Sequence, residues 1–232
     1  MAPPQLTLPV FGLNLVAFPG MDLPLHIFEE RYRHLVRHLL AIPDPSERVF
    51  AVVAIREGYE VGTHESRSMY RTGCMVQLTD AEEYDDGRFD IMTVGRQRVR
   101  VVDTAVDTRT GGDLLTATVE VLPGEAGDPT PESTESAARA LVRFDEYRSM
   151  VSGLRGDDVM TGVLPRDPEM LSFVLASTVS LTLRERQSLL ESPTAHARLQ
   201  LLRRLMGSEI RAMRALPSLP ATEVARTGWN PN

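Results

Sequence analysis

The hydrophobic pattern of this chain changes its period between residues 122 and 131, and that change restricts the folds open to it. Before PGEAGDPT at residues 123–130, residues 114–122 alternate apolar and polar side chains, which is typical of a strand. After it, apolar residues recur at helical spacing, in a stripe formed by Ala137, Ala140, Leu141, Phe144, Tyr147 and Val151. The pattern predicts an α+β protein with a β-rich subdomain at 1–122, a linker at 123–130, a helical bundle at 131–216 and a flexible tail at 217–232.

The β-rich part divides further at its turn signals. The predicted strands cover residues 13–18, 48–55, 73–78, 89–102 and 114–122, with one helix at about residues 28–40. Gly95 lies within the longest strand and predicts a bulge or bend there.

Helix starts are easier to locate in the second half of the chain. Thr130-Pro131, Asp167-Pro168 and Ser192-Pro193 each place a capping residue before proline, and Thr182 with Glu185 forms a capping-box pattern. These signals predict four helices in the bundle.

The segment LPVFGLNLVAFPGMDLPLHIFEERYRHL, residues 8–35, combines turn residues with an amphipathic run. Pro24 is expected to stiffen the chain before a helix whose inward face carries Phe28, Tyr32 and Leu35 at helical spacing. Together with Leu25, these residues are interpreted as a structural motif that holds the helix on the β-rich subdomain. Binding is expected elsewhere.

All 25 basic residues are arginine, and the formal net charge is -7. Without lysine the chain can form neither a Walker A phosphate loop nor a Ser-Lys catalytic pair. The negative charge argues against nucleic acid and anionic membrane as default partners. No signal peptide or run of about 20 apolar residues is present, which favours a cytoplasmic protein.

Arg96, Arg98 and Arg100 alternate along one predicted strand and so share a face, unless a bulge at Gly95 redirects Arg96. They are the predicted partner-binding patch, suited to acidic groups. The alternative is a solvated sheet face paired with acids of the next strand.

Other candidate residues have ordinary explanations. His34 and His38 have a spacing that can bind metal, but no third ligand can be identified. His64-Glu65 begins like a zincin motif that fails at Ser68. His26 and Cys74 are expected to be structural, and Trp229 lies alone in the tail. No catalytic residue, metal or cofactor is predicted.

An ordered series of segments resembles the Lon N-terminal domain, the substrate-recognition part of Lon-type proteases. After residues 8–36 the resemblance continues through VGTHES, DGRFDIMTVGRQRVRV, LVRFDEYRSM and LRERQSLLESPTAHARLQLLRRLMGSEI, spanning roughly residues 6–212. Gly12, Glu30 and Arg186 depart from residues that are common in the family.

The resemblance implies a PUA-like pseudo-barrel followed by a helical bundle, with no cofactor and no catalytic residue. It also implies a module that recognises proteins or unfolded, degron-like peptides, with a role as adaptor for a separate protease as one form of that function. Because the ATPase and peptidase domains do not fit in this chain, we expect no enzymatic activity. The alternatives are a nucleic-acid-binding protein that uses the PUA-like part, and a small hydrolase built on His and Asp or Glu residues.

Overall fold

The computed structural model describes residues 5–56, 69–108, 113–125, 129–156 and 162–215. The chain divides into two compact units, Met1–Gly124 and Glu125–Asn232. The division falls inside the segment whose composition predicts a linker, and each unit has its own secondary structure.

Within the described residues, unit one contains a six-stranded sheet and one α-helix. The strands are β1 (Gln5–Leu13), β2 (Asp22–Ile27), β3 (Val49–Ala54), β4 (Thr72–Glu83), β5 (Phe89–Asp107) and β6 (Leu114–Val121). The helix α1 spans Glu30–Leu40, and a short 3-10 turn spans Pro45–Glu47. The strand order is β2-β5-β4-β3-β1-β6, and β5 also pairs with β6. The sheet therefore closes on itself through β5, with β2 lying outside the ring along the first part of β5.

At β3 both faces of the sheet are covered by apolar side chains. In β3, Phe50 and Val52 belong to one buried cluster, whereas Ala51 and Val53 belong to another. The first cluster includes the inward residues of α1, and the second joins β1, β3, β5 and β6. Burial on both faces explains why residues 48–55 read as a continuous apolar run rather than an alternating one.

The first strand differs from the prediction. β1 spans Gln5–Leu13, so the expected strand at residues 13–18 is wrong. The chain forms a second strand, β2, at Asp22–Ile27, where the sequence predicted a stiff segment leading into a helix. The helix α1 begins at Glu30 rather than at about residue 28. The physical reason is pairing with β5, in which Leu23 meets Thr93 and Ile27 meets Phe89. Pro24 is tolerated because β2 pairs with no other described strand, and proline is accepted at a sheet edge.

Unit two consists of helices α2 (Pro131–Arg155), α3 (Pro168–Thr178), α4 (Leu183–Glu191) and α5 (Ala195–Ala215) in the described residues. Three predicted caps are present. The side chains of Thr130 and Asp167 accept hydrogen bonds from the N–H groups of Ser133 and Met170, and Thr182 with Glu185 forms the reciprocal capping box. The last helix starts later than Pro193, and the Oγ1 of Thr194 accepts from the N–H of Ala197 at 3.1 Å.

A buried arginine joins three helices of this unit. Arg198 donates hydrogen bonds to the Oγ of Ser172 and to the carbonyl oxygens of Leu189 and Ser192, at 2.7 to 3.0 Å. Its guanidinium lies 4.0 Å from the ring centroid of Phe173. Within the described part of the chain, no helix combines the length and hydropathy needed to cross a bilayer.

Candidate functional site

The segment of residues 8–35, called the opening motif from here on, contains a buried part and an exposed part. In β2, Leu23 and Ile27 are buried, while Pro24 and His26 are exposed on the opposite face. Phe28 is 63% exposed, so its expected inward position is wrong. The helix begins only at Glu30, which places Phe28 in the connection before it and off the buried stripe of α1.

The remaining residues of the motif line the core. Tyr32, Leu35, Val36 and Leu39 are the buried residues of α1. The ring centroid of Tyr32 lies 4.1 Å from that of Phe11. Leu25 is half-buried and packs against the same cluster.

The exposed part continues across the neighbouring strands. Pro24 pairs with Met92 and His26 with Asp90, so the outward side chains of β2 and β5 lie side by side. Tyr84, at the tip of the β4–β5 hairpin, borders the same area. We call this area the His26–Phe28 surface; it comprises Pro24, His26, Phe28, Tyr84, Asp90 and Met92. Of these, Phe28, Tyr84 and Met92 are large exposed apolar or aromatic side chains.

A hydrogen-bond network holds the polar members in place. Nδ1 of His26 lies 2.6 Å from Oδ1 of Asp90, and the hydroxyl of Tyr84 donates to Oδ2 of Asp90 at 2.6 Å. The imidazole of His26 also neighbours two aromatic rings, with its centroid 6.4 Å from that of Phe28 and 6.3 Å from that of Tyr84. Both carboxylate oxygens of Asp90 therefore form hydrogen bonds, one with the His26 ring and one with the Tyr84 hydroxyl.

These contacts shift the titration of two groups in opposite directions. The hydrogen bond from Tyr84, with that from His26, holds the pKa of Asp90 below its usual value. The same hydrogen bond to Asp90 raises the pKa of the Tyr84 phenol. At neutral pH the network is thus an ionised carboxylate that accepts a hydrogen bond from a protonated phenol.

Helix α1 fixes the hairpin that carries Tyr84. Arg37 forms an ion pair with Glu83 at 2.7 Å, and its guanidinium lies 5.3 Å from the ring centroid of Phe89. Arg33 donates to the carbonyl oxygen of Asp86 at 3.1 Å. Gly87 has a φ of +78°, and a Cβ there would meet the guanidinium of Arg33, so glycine is required at this turn.

The three arginines of β5 do not form one exposed face. Between the pairs Met75–Gln97 and Val76–Gly95, Arg96 has no partner in register, which confirms the bulge predicted at Gly95. The side chain of Arg96 turns toward Gln77 and donates to its Oε1. Arg98 is only 7% exposed, so the expectation that it belongs to an exposed patch is wrong. Arg100 is exposed and lies 3.7 Å from Glu120.

Other candidate residues show no further site in the described part of the chain. Nε2 of His34 lies 3.7 Å from a carboxylate oxygen of Glu30. Among the described residues, no group of three or more His, Cys, Asp or Glu side chains could hold a metal ion. Burial raises the pKa of the Cys74 thiol to about 12. His64, Glu65, Trp229 and the predicted tail lie outside the described residues.

One pattern in the sequence indicates which side chains of β2 face outward. Leu23, Leu25 and Ile27 alternate with Asp22, Pro24 and His26, which is the pattern of a half-buried strand. Recognising it places Pro24 and His26 outward. No local pattern indicates that His26 meets Asp90, which lies 64 residues away in the chain.

A closed β unit followed by a helical unit defines a mixed α+β protein, the fold class shared with Lon N-terminal domains. Residues 7–208 match the family described as the ATP-dependent protease La (LON) substrate-binding domain, and the chain belongs to that family.

Similar proteins agree with this assignment. The chain is 28% identical over 187 residues to Lon protease 2 of Syntrophobacter fumaroxidans and 24% identical over 209 residues to Lon protease of Escherichia coli. These alignments cover 81% and 89% of the chain but only 22% and 25% of the two relatives. The chain thus spans about a quarter of the length of the curated relatives it matches.

Solved structures share the fold. A Lon N-terminal domain protein from Xanthomonas campestris superposes with a TM-score of 0.58 at 23% identity, covering 85% of this chain and 96% of the other. The N-terminal domain of the Mycobacterium avium complex Lon protease superposes with a TM-score of 0.63 at 16% identity, covering 87% and 98%.

Proposed function

We propose that this chain is a non-catalytic module that binds protein or peptide segments through the His26–Phe28 surface. The observation that carries the proposal is the exposure of Phe28, an aromatic side chain 63% open to solvent beside a network that fixes its neighbours. Large exposed aromatic residues on a rigid platform are typical anchors of protein interfaces. Membership of a substrate-binding family supports the same function.

The edge of β2 provides a second means of holding an extended segment. The N–H of Gly95 donates to the carbonyl of Met21 at 2.9 Å, so in an antiparallel ladder the alternate residues Leu23, Leu25 and Ile27 direct their backbone groups toward β5. The backbone groups of Asp22 and His26 then point away from β5, and no other described strand pairs with β2. An added strand would place its side chains beside Pro24, His26 and Phe28.

The charge around the surface favours a particular kind of segment. Asp80, Glu82 and Asp90 lie on the outward face of β4 and β5, where Asp80 pairs with Met92 and Glu82 with Asp90. We propose that the preferred segments combine an aromatic or aliphatic residue, which packs on Phe28 and Met92, with a basic residue that meets these carboxylates.

The broader role follows from the same family. We infer that the β unit is a PUA-like pseudo-barrel and the helical unit a bundle, because the sheet closes through β5 and four helices follow it in the described part of the chain. We also propose that the chain acts in the cytoplasm and presents bound segments to a separate protease. The missing lysine supports binding without catalysis, since neither a phosphate-loop lysine nor a Ser-Lys pair can form in this chain.

The decisive experiment measures fluorescence anisotropy of a labelled unfolded polypeptide with the wild type, Phe28→Ala and the control Val142→Ala. Val142 is an exposed apolar residue of α2, so the control removes similar apolar exposure from the other unit. We expect Phe28→Ala to weaken binding about 30-fold, the effect of losing an interface anchor worth about 2 kcal/mol. Val142→Ala should bind like the wild type.

Equal affinity of both variants and the wild type would show that binding lies elsewhere. A single-stranded RNA of mixed sequence serves as a second probe. If the RNA binds more tightly than the polypeptide and loses affinity in Phe28→Ala, the nucleic-acid alternative replaces the peptide-binding proposal.

A further inference from the structure

A polar cavity of about 350 Å³ lies against the second half of β5, away from the β4–β5 hairpin. Its lining includes Arg56, which follows β3, and Tyr70 and Arg71, which precede β4. Val102 and Asp103 of β5 also line it. Backbone hydrogen bonds from Tyr70 to Ala54 at 2.9 Å and from Val101 to Arg71 at 2.8 Å hold the three segments together, so the cavity has a backbone framework.

A bulge shapes the cavity wall. The register of β5 with β6 shifts between Val101 and Asp103, so Val102 has no partner in the ladder. Val102 is exposed, whereas Val101 is buried. Bulges redirect side chains and recur beside binding sites, and this one turns Val102 and Asp103 into the lining.

Among the described residues, the lining carries two arginines, Arg56 and Arg71, and one acid, Asp103. No carboxylate of a described residue forms an ion pair with Arg56 or Arg71, although many arginines of this acidic chain have one, as Arg37 does with Glu83. The guanidinium of Arg56 lies 5.1 Å from the ring centroid of Tyr70, which holds it flat. Asp103 is the acid of the lining, and its Oδ1 accepts from the N–H of Thr104 at 2.9 Å.

We propose that this cavity binds a small monocarboxylate that carries a hydrogen-bond donor beside the carboxylate, as in an N-acyl amino acid or the C-terminal residue of a peptide. Guanidinium groups match a carboxylate with paired hydrogen bonds, which assigns the anion to Arg56 and Arg71. Asp103 accepts a hydrogen bond from the ligand's amide N–H, which lies beside the ligand's carboxylate. The negative charge of Asp103 disfavours a dianion such as a phosphate ester. Met69, Val101 and Val102 supply the apolar contacts.

The size of the site agrees with this ligand class. A volume of about 350 Å³ lies near the lower end of the roughly 300 to 1,000 Å³ found for small-molecule sites. This inference goes beyond the proposed function and does not depend on it, because the residues that line the cavity lie outside the His26–Phe28 surface.

The test is a titration of the ¹⁵N-labelled full chain, followed by NMR, with N-acetyl-leucine and its neutral amide. We expect saturable shifts of the Tyr70, Arg71, Val102 and Thr104 amides with a dissociation constant of about 0.1 to 10 mM. N-acetyl-leucinamide should cause none. Arg71→Gln and Arg56→Gln should each weaken binding about tenfold or more, since each removes a charge-assisted hydrogen-bond donor.

The control is Arg100→Gln, which removes an exposed arginine of the same strand outside the cavity lining and should leave binding unchanged. Spectra of the variants outside the cavity report whether each is folded. Absence of saturable shifts, equal shifts with the amide, or shifts with inorganic phosphate but not with N-acetyl-leucine would overturn the proposal.

A further arm identifies the source of the carboxylate. A short peptide ending in leucine that binds more tightly than N-acetyl-leucine assigns the site to chain termini, and weaker binding assigns it to a free small acid. Phe28→Ala should retain binding of N-acetyl-leucine, so loss of either activity can be recognised separately.

Discussion

Arg198 of α5 donates a 2.7 Å hydrogen bond to the hydroxyl of Ser172 in α3, and both residues are fully buried. The same guanidinium donates to the carbonyl oxygens of Leu189 and Ser192 at the end of α4. One side chain on α5 therefore satisfies acceptors on two other helices, α3 and α4, in the interior of the helical unit. A buried arginine is tolerated only where such partners are present.

We expect Arg198→Ala to lower the free energy of unfolding by about 3 kcal/mol or more, because hydrogen bonds to charged groups contribute about 1.5 to 3 kcal/mol each. The measurement is urea denaturation followed by circular dichroism at about 222 nm, where helices dominate the signal. Arg203→Ala, an exposed position on the same helix, is the control and should change stability by less than about 0.5 kcal/mol. Similar losses in both variants would contradict a special role for Arg198.

The opening motif allows a direct comparison of its buried and exposed parts. Leu35 is buried in the first apolar cluster, so Leu35→Ala should cost about 2 to 5 kcal/mol. Phe28→Ala should stay within about 0.5 kcal/mol, because the side chain is already exposed. Thermal melting of the two variants beside the wild type tests the difference. A large loss of stability in Phe28→Ala would mean that the ring packs inward after all.

Two glycines should respond oppositely to the same substitution. A Cβ at Gly95 would collide with the carbonyl of Phe18, so Gly95→Ala should destabilise by about 1 to 3 kcal/mol. Gly153 lies in α2 with nothing within 4 Å of an added Cβ, so Gly153→Ala should stabilise by about 0.5 to 1 kcal/mol. Chemical denaturation of both variants measures the pair. Changes of the same sign would show that the close approach at the bulge is not decisive.

Cys74 should be unreactive in the folded protein. Its burial raises the thiol pKa to about 12, so almost none is thiolate at neutral or mildly alkaline pH. At about pH 8, which is near the ordinary thiol pKa, we expect no reaction with a disulfide reagent until denaturant unfolds the sheet. Val142→Cys adds an exposed thiol as a control and should react at once with one equivalent. Rapid labelling of the native wild type would contradict the burial.

The pH dependence of the Tyr84–Asp90 pair has a defined sign. The folded pKa of Tyr84 is raised by its hydrogen bond to Asp90, so the interaction is present below the ordinary tyrosine pKa and is lost as pH rises through the raised value. The folded pKa of Asp90 is lowered, so its contribution is present above the ordinary aspartate pKa and is lost as pH falls through the lowered value.

Ultraviolet titration of tyrosinate, with Tyr84→Phe subtracted, isolates the Tyr84 transition. We expect Asp90→Asn to bring the pKa of Tyr84 down toward its ordinary value. An unchanged transition in Asp90→Asn would show that Asp90 does not perturb the phenol.

The amino-acid sequence alone determined the features whose hydrogen bonds close within a few residues. The caps at Thr130, Asp167 and Thr182 each join residues three positions apart, and all three are present in the structure. The buried strand β3 was also recognisable, since apolar side chains on both faces leave a continuous run. The Lon-type family followed from the order of several segments along the chain, and the match over residues 7–208 confirms it.

Tertiary structure decided the features that depend on distant partners. Pro24 lies in a strand because β2 pairs with β5 about 70 residues away, and that pairing delays the start of α1 and turns Phe28 to solvent. Arg98 is buried and Arg96 redirected because a bulge in β5 changes which face each side chain occupies. The His26–Asp90 contact depends on that same strand pairing. The alternation of apolar and polar residues along a strand indicates that its two faces differ. Only the neighbouring strands and helices determine which face is covered and which residues are paired between strands.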